Sequence, residues 1–190
     1  MDRMTGYRAV SLAAGLLLVS IAQADAAEVV AIASVEQMGM LEVSVQVDGL
    51  SCPFCAYGLQ KKLRKVGNIA ELKIQVDEGR AVLQPKEGTS LDLAEVERAV
   101  RDGGFTPHGI TLTARGRLTE FNGVPALELP GDTLLLLADD AQTSALLESA
   151  SNAAGAARPV IWVAGEAELE ERGGHAGHPY TLSVSSFEIS

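Results

Sequence analysis

Residues 41–55 read LEVSVQVDGLSCPFC, and this stretch decides the fold of the first half of the chain. Its first eight residues alternate apolar and polar side chains, which is typical of a β-strand with one buried face. Gly49 interrupts the alternation, and Cys52 and Cys55 follow shortly after it. The next apolar residues recur at helical spacing, namely Ala56, Leu59, Leu63 and Val66. The stretch therefore predicts a strand, a loop that carries two cysteines, and an amphipathic helix that begins at Cys55.

A hairpin, a second helix and a last strand are predicted further along the chain. Alternating residues on both sides of the turn at residues 77–79 indicate the hairpin. Thr89 is an N-cap residue with a carboxylate three positions later, at Asp92, and it predicts a helix that ends at Gly103. The last strand is expected at residues 106–112. The order β-α-β-β-α-β predicts a ferredoxin-like sandwich of the α+β class.

Residues 1–26 have the pattern of a secretory signal peptide. Arg3 and Arg8 are followed by an apolar run of about 14 residues, shorter than the roughly 20 needed to span a bilayer. Small residues at positions 22–26 match the A-x-A cleavage pattern. We expect a linker at residues 27–40 and a mature protein that is periplasmic or secreted, with no membrane segment after cleavage. An uncleaved anchor helix is the alternative.

The chain is acidic, and its charge is unevenly distributed. Its 190 residues carry a net charge of −10, which argues against nucleic acid as a partner because phosphate contacts need clustered Lys and Arg. Residues 41–115 contain ten basic and ten acidic side chains, whereas residues 116–190 contain three basic and eleven acidic ones. We interpret this change as a boundary between two domains, at residues 41–114 and 115–190.

The second predicted domain is mostly β. Five short strands are expected, with Asn122-Gly123 as a hairpin turn between the first two and a helix at residues 141–150 after the third. This order resembles a small OB-like β-barrel. No phosphate-binding loop and no Ser/His/Asp arrangement is found in its sequence, so we expect an acidic accessory or partner-docking domain and no enzyme activity.

The chain has two cysteines, too few for a disulfide-stapled scaffold. Cys52 is predicted in the loop and Cys55 at the start of the helix, so both sulfurs can meet at one point. The positive end of the helix dipole favours thiolates there. Two thiolates suit a soft ion of low coordination number, Cu(I) or Hg(II), better than Zn(II), which normally takes four ligands. A thiol-disulfide oxidoreductase with the same C-P-F-C sequence and a purely structural pair are the alternatives.

Residues 49–55, Gly-Leu-Ser-Cys-Pro-Phe-Cys, resemble the G-M-x-C-x-x-C loop of the heavy-metal-associated domain family. That family includes copper chaperones, modules of metal-pumping ATPases and a periplasmic mercury-binding protein. The resemblance covers residues 41–113, with the same predicted order of elements and with Gly-Phe at residues 104–105. Leu50 stands where the family usually has Met.

The resemblance implies that Cys52 and Cys55 bind one Cu(I) or Hg(II) ion per domain. It also implies a supporting loop, composed of Gly49, Leu50, Ser51 and Phe105, with Phe105 packed near the metal. Zinc-preferring members have Asp where this chain has Ser51, which weighs against zinc. The implied partner is a metal donor or acceptor protein, such as a metal-transporting membrane pump. A basic helix face could dock that partner, and its residues are Lys61, Lys62, Arg64 and Lys65. An ordinary solvated helix face is the simpler interpretation, and contact with the acidic second domain of the same chain is a third.

Other candidate ligands have simpler interpretations. Met38 and Met40 precede the first strand and could offer thioethers to Cu(I), but linker or packing residues are expected there. His108 follows Phe105 closely and is interpreted as a surface residue. His175 and His178 are three positions apart in a glycine-rich loop, and whether they bind a metal stays open.

Overall fold

A computed structural model describes residues 38–131, 133–154, 159–169 and 180–189. The predicted signal peptide and residues 27–37 of the predicted linker lie outside these ranges. The pair His175 and His178 also lies outside them.

The described residues form eight strands and three helices. Their order is β1 (Gly39–Asp48), α1 (Pro53–Leu63), β2 (Ile69–Gln75), β3 (Arg80–Pro85), α2 (Leu93–Asp102), β4 (Thr106–Phe121), β5 (Val124–Leu129), β6 (Thr133–Leu137), α3 (Ala141–Ala154), β7 (Val160–Leu169) and β8 (Tyr180–Ile189).

The first half is an antiparallel sheet with the strand order β2-β3-β1-β4, and two helices join its strands. Alternate residues of β1 point into the core, where Val43 and Val45 are fully buried. The helices bury one face each against them, through Leu59 and Leu63 of α1 and through Val96 and Val100 of α2. The predicted β-α-β-β-α-β order is confirmed.

Strand β4 is much longer than the predicted residues 106–112, and it belongs to both halves of the molecule. Its first part pairs with β1, up to Gly39 opposite Arg115, and its last part pairs with β5 along the same edge. The other edge pairs with β7 over residues 110–117. The boundary predicted at residues 114 and 115 falls inside this strand, so the two halves share a strand and no linker separates them there.

The second half closes into a ring in the order β4-β5-β6-β8-β7 and back to β4. Asn122 and Gly123 form the β4–β5 turn with positive φ angles of 51° and 83°, as the Asn-Gly sequence predicts. The expected number of strands and the helix after the third agree with this ring. Its identification as an OB-like barrel stays a prediction.

Gly116 lies where β4 passes from β1 to β5, and the ring leaves no room there for a side chain. A Cβ at this position would lie 2.6 Å from the carbonyl oxygen of Glu128 and 2.7 Å from Leu127 Cγ. Close backbone approach of this kind is a common reason for glycine within a strand. The sheet therefore closes at this point because the residue is glycine.

Contacts beside the shared strand also join the two halves. Tyr180 of β8 is buried, and the Glu97 carboxylate of α2 lies beside its hydroxyl. Burial, and then the negative charge of Glu97, raise the pKa of Tyr180 to about 12. Glu97 is also paired with Arg101 at 2.7 Å. Across the same junction, the Ser90 hydroxyl donates a 3.3 Å hydrogen bond to the Pro130 carbonyl.

Three local expectations are corrected by the structure. The N-cap of α2 is Asp92, whose Oδ1 accepts from the N–H groups of Ala94 and Glu95, while the Thr89 hydroxyl donates to the Lys86 carbonyl. Strand β1 begins at Gly39, within the predicted linker. Helix α3 continues to residue 154, beyond the expected end at 150.

Candidate metal centre

The loop between β1 and α1 brings the cysteines to one end of the sheet. Gly49 turns the chain with a φ of 82°, a value that favours glycine. Leu50 then enters the core and is 5% exposed, while Ser51 is exposed. Leu50 therefore anchors the loop, which leaves the residues after it at the surface.

Cys52 is the N-cap of α1 and has an extended backbone, with φ −142° and ψ 148°. Its Sγ accepts a hydrogen bond from the N–H of Cys55, with 3.1 Å between N and S. Pro53 is the first helical residue, where its fixed φ fits and its missing N–H removes no helical bond. The helix thus begins two residues before Cys55, the predicted start.

A disulfide bond joins Cys52 and Cys55, whose Cα atoms are 5.3 Å apart. Both residues are half-buried. The first turn of α1 contains no acidic residue, and Lys61 and Lys62 lie in its last turn. After reduction, the positive end of the helix dipole would therefore favour thiolates at both sulfurs without an opposing carboxylate from that turn.

The donor set around the cysteines is small. The described residues contain no group of three or more His, Cys, Asp or Glu side chains placed to hold a metal ion. A reduced pair at this spacing could supply two sulfur ligands, which fits a soft ion that accepts low coordination and does not fit a four-ligand zinc site.

Phe105 lies just before β4 and packs against the core. Its N–H donates to the Val100 carbonyl at 3.2 Å. A Cβ at Gly103 would lie 3.3 Å from Phe105 Cδ2 and 3.4 Å from Leu59 Cδ1. Phe105 therefore packs at the junction of the two helices, one turn of α1 away from Cys55.

Two aromatic side chains beside the cysteines are exposed, Phe54 of the C-P-F-C sequence and Tyr57, to which the sequence interpretation gives no role. Phe54 is 89% exposed and Tyr57 is 68% exposed, although the chain has only eight aromatic residues. They are three residues apart on α1, on the face opposite Ala56 and Leu59. The helical spacing of the buried residues contained this signal, because it assigns positions 54 and 57 to the solvent side.

Met40 is not placed to bind a metal with the cysteines. It lies in β1 at 3% exposure, and its Sδ accepts a hydrogen bond from the Leu91 N–H at 3.3 Å. It is at the opposite end of β1 from Asp48, roughly 26 Å away at the usual rise per residue. The packing role expected for Met40 is therefore confirmed, and its thioether is not available to the candidate site.

His108 is exposed, as expected, and its Nδ1 lies 4.0 Å from Asp48 Oδ2. The pair belongs to the same end of the sheet as the cysteine loop, since Asp48 is the last residue of β1. Two exposed groups at this distance make a weak, screened ion pair at most.

No helix among the described residues combines the length and the apolar character needed to cross a bilayer.

No protein-family model and no curated protein matches this chain. Among solved structures, it is similar to the CopZ metallochaperone, with 16% identity and a TM-score of 0.32, over 35% of this chain and 98% of that one. It is also similar to the N-terminal domain of PacS from Synechocystis PCC6803, with 18% identity and a TM-score of 0.31, over 35% and 92%. A copper binding domain from HMA7, a P-type ATPase, matches with 18% identity and a TM-score of 0.30, over 35% and 89%. Each of these matches covers about a third of this chain.

Proposed function

We propose that this protein carries one soft metal ion, Cu(I) or Hg(II), between the thiolates of Cys52 and Cys55, for transfer or sequestration. The observation that carries the proposal is the placement of two bonded sulfurs at the N-terminal end of α1. The metal is cargo in this proposal, and the protein is a carrier and not an enzyme.

Loading requires the reduced pair. A dithiol reductant donates two electrons and two protons to the disulfide and itself becomes a disulfide, which leaves two thiols on this protein. Each thiol then releases its proton to solvent when its sulfur binds the metal. The amides and dipole at the start of α1 lower the cost of that deprotonation. Metal affinity should therefore increase with pH until both sulfurs are thiolates.

Transfer to another protein needs an accessible surface around the sulfurs. Phe54 and Tyr57 project from α1 beside the pair, and exposed aromatic residues are common at the centres of protein interfaces. The exposed cations of α1 and the residues after it continue this surface, namely Lys61, Arg64 and Lys65. We propose a metal donor or acceptor protein with an acidic surface as the partner, such as a metal-transporting membrane pump.

Helix α1 packs against α2 and β2 with its buried face. Its basic residues lie outside that face and are therefore available for such a partner.

The ring of β4 to β8 would serve as an acidic accessory domain, OB-like in its order of strands. We place the protein in the periplasm or outside the cell, on the evidence of the predicted signal peptide. Nucleic acid is not proposed as a partner, since the net charge is −10.

Thiol-disulfide exchange is the second candidate function, and the disulfide itself favours it. In that function a thiolate of a partner attacks one sulfur of the pair, and the other sulfur leaves as a thiolate. The exposed Phe54 between the cysteines would then contact the partner polypeptide.

The test is a competition titration of the reduced protein with Cu(I) and with Hg(II) against chelators of known affinity, with free thiols counted in parallel. We expect one tightly bound equivalent and the loss of both thiols. Cys52→Ser and Cys55→Ser should each abolish tight binding, while circular dichroism shows a retained fold. Tight binding of one equivalent by either single variant would contradict the two-thiolate site.

The same sample separates the two candidates. A carrier should bind metal tightly and catalyse insulin reduction no faster than free dithiothreitol does. An oxidoreductase should accelerate that reduction and show no tight equivalent of either metal.

A further inference from the structure

β2 is the one strand among the described residues that has a neighbour on a single side. It pairs with β3 and ends the sheet, whereas each of the other described strands pairs along both edges. The opposite end of the sheet is closed, because β4 pairs with β7 beyond β1. An open strand edge presents unpaired N–H and C=O groups to any strand that can reach it.

The side chains of β2 are divided between two faces. Leu72 and Ile74 pack against the core but remain half-exposed at the edge. Glu71 and Lys73 are exposed on the other face, where both line the same shallow cavity of the open sheet. Neither of these two charged groups is in a hydrogen bond or an ion pair with another residue that the structure describes.

The sequence of β2 is complementary to itself in one antiparallel register. If Leu72 lies opposite Leu72 of a second copy, Glu71 faces Lys73 of that copy and Lys73 faces its Glu71. A register shift between Ile69 and Glu71 ends the regular alternation there and Ala70 is exposed, so the apolar pair of this register is Leu72 with Leu72. Opposite charges placed directly across a strand pair stabilise it, and so do apolar pairs.

We propose that a second copy of this chain binds along β2, so that the two sheets join as one antiparallel sheet about a two-fold axis at Leu72. Backbone hydrogen bonds between the two β2 strands, two cross-strand ion pairs and the contact between the two Leu72 side chains hold the dimer.

The charge distribution supports this arrangement of the copies. Residues 41–115 carry ten basic and ten acidic side chains, while residues 116–190 carry three basic and eleven acidic ones. The acidic ring begins at β4, three strands away from β2 in the sheet order. Joining the copies at β2 therefore brings together two neutral halves and keeps the acidic rings at opposite ends, where they repel least.

The experiment is sedimentation equilibrium of the purified protein in a chelator with the disulfide intact, which prevents dimers bridged by a metal or by exchanged cysteines. We expect a reversible monomer–dimer equilibrium that shifts toward monomer at 1 M NaCl. Lys73→Glu should raise the dissociation constant by about tenfold or more, since it places like charges across the strands. Lys86→Glu makes the same charge change at an exposed residue outside β2, and it should leave the constant unchanged.

Two further samples test the register itself. The double variant Glu71→Lys/Lys73→Glu exchanges both charges and should restore the dimer. An equimolar mixture of the single variants E71K and K73E should form a heterodimer, because every facing pair across the strands is then of opposite charge. Hydrogen exchange should show β2 amides that become protected as the protein concentration rises.

A monomer at every concentration up to about 1 mM would overturn the proposal. That result is also the one expected if residues 27–37 of the same chain covered β2. Equal effects of K73E and K86E, or failure of the double variant to restore the dimer, would overturn it as well. None of these results depends on metal binding, so this proposal and the proposed function fail separately.

Discussion

The sulfur of Cys52 accepts a hydrogen bond from the backbone N–H of Cys55, with 3.1 Å between the two atoms. Cys52 therefore caps the helix in addition to being a candidate ligand, while Cys55 lies inside the first turn. In the proposed two-sulfur metal site the two cysteines would contribute equally, but they contribute unequally to the stability of α1.

This inequality predicts different effects of substituting the two cysteines in the reduced, metal-free protein. Cys52→Ala should lower the free energy of unfolding by about 1 kcal/mol, because it removes the cap. Cys52→Ser should lie within about 0.5 kcal/mol of the parent, since its hydroxyl caps in the same way. Urea unfolding under a reductant measures both. Equal destabilisation by Cys52→Ala and Cys55→Ala would show that the cap contributes nothing.

Gly116→Ala should destabilise the protein by about 1–3 kcal/mol, as overpacking of a buried site does. The added methyl group would lie 2.6 Å from the Glu128 carbonyl oxygen, so either β4 or β5 must move. Gly58→Ala is the matched control, because Gly58 is exposed within α1 and has open space at its Cβ position. That substitution should stabilise the protein by about 0.5–1 kcal/mol. Thermal unfolding of the two variants should shift in opposite directions.

Asp140 should make part of the stability depend on acid pH. Its Oδ1 accepts from the Thr143 N–H at 2.7 Å and its Oδ2 from the Ser183 hydroxyl at 3.2 Å. The Thr143 N–H is the main cause that lowers the pKa of Asp140 from 3.8. A carboxyl group whose pKa is lowered by folding stabilises the fold at pH values above its ordinary pKa. This contribution is lost as the pH falls through the pKa of the folded state.

Asp140→Ala should therefore cost about 1 kcal/mol at pH 7, the usual value of an N-cap. The difference from the parent protein should shrink as the pH falls below 4. Urea unfolding at pH 7 and pH 3 measures it, with the neighbouring Asp139→Ala as the control that makes neither bond. A pH-independent cost would mean that the charge of Asp140 does not matter.

Tyr180 should make part of the stability depend on alkaline pH, with a stabilising contribution that is lost as the pH rises. Its pKa is raised from 10.0 to about 12, first by burial and then by the Glu97 carboxylate. The unfolded chain therefore releases the phenolic proton first, so this stabilising contribution is full below pH 10 and is lost as the pH rises toward 12. Tyr180→Phe should be free of this loss, while Tyr57→Phe, at an exposed tyrosine, should keep it. Parallel pH profiles for the parent and Tyr180→Phe would contradict the assignment.

The elements next to the cysteines could be predicted because their patterns are local. Val43 and Val45 alternate with polar residues in β1, and Leu59 and Leu63 recur at helical spacing in α1, so each pattern identifies the buried face directly. The loop between them could be predicted for the same reason. The sequence leaves the disulfide as one of two open states, because the same two cysteines are reduced or oxidised according to the surrounding redox potential.

The shared strand was not predicted, although part of its signal is present. Ile110, Leu112, Ala114 and Leu118 continue one alternation across the expected boundary. The change in charge near Arg115 indicates a boundary, but it does not interrupt this alternation. The pairing of β4 with β7 depends on contacts between residues far apart in the chain, which no local pattern contains.

The capping of α2 shows a finer limit of sequence patterns. Thr89 and Asp92 both have side chains that can cap a helix. The structure selects Asp92, because the Thr89 carbonyl accepts a hydrogen bond from the Met40 N–H at the start of β1, whereas the Asp92 carbonyl accepts the first helical bond, from the Val96 N–H. A contact between distant segments therefore decides which of two suitable residues begins the helix.

The shared strand also determines the order in which the protein can finish folding. Leu112 is paired with Val43 on one edge of β4 and with Gly165 on the other. Val43 is synthesised long before Leu112, and Gly165 long after it. During synthesis from the N-terminus, the cysteine loop and the helices α1 and α2 are complete while one edge of β4 is still without its partner β7. Strands that are this far apart in the chain pair slowly, and an unpaired strand edge can pair with a wrong strand or with another chain in the meantime. The newly made chain thus contains both cysteines before its sheet is complete.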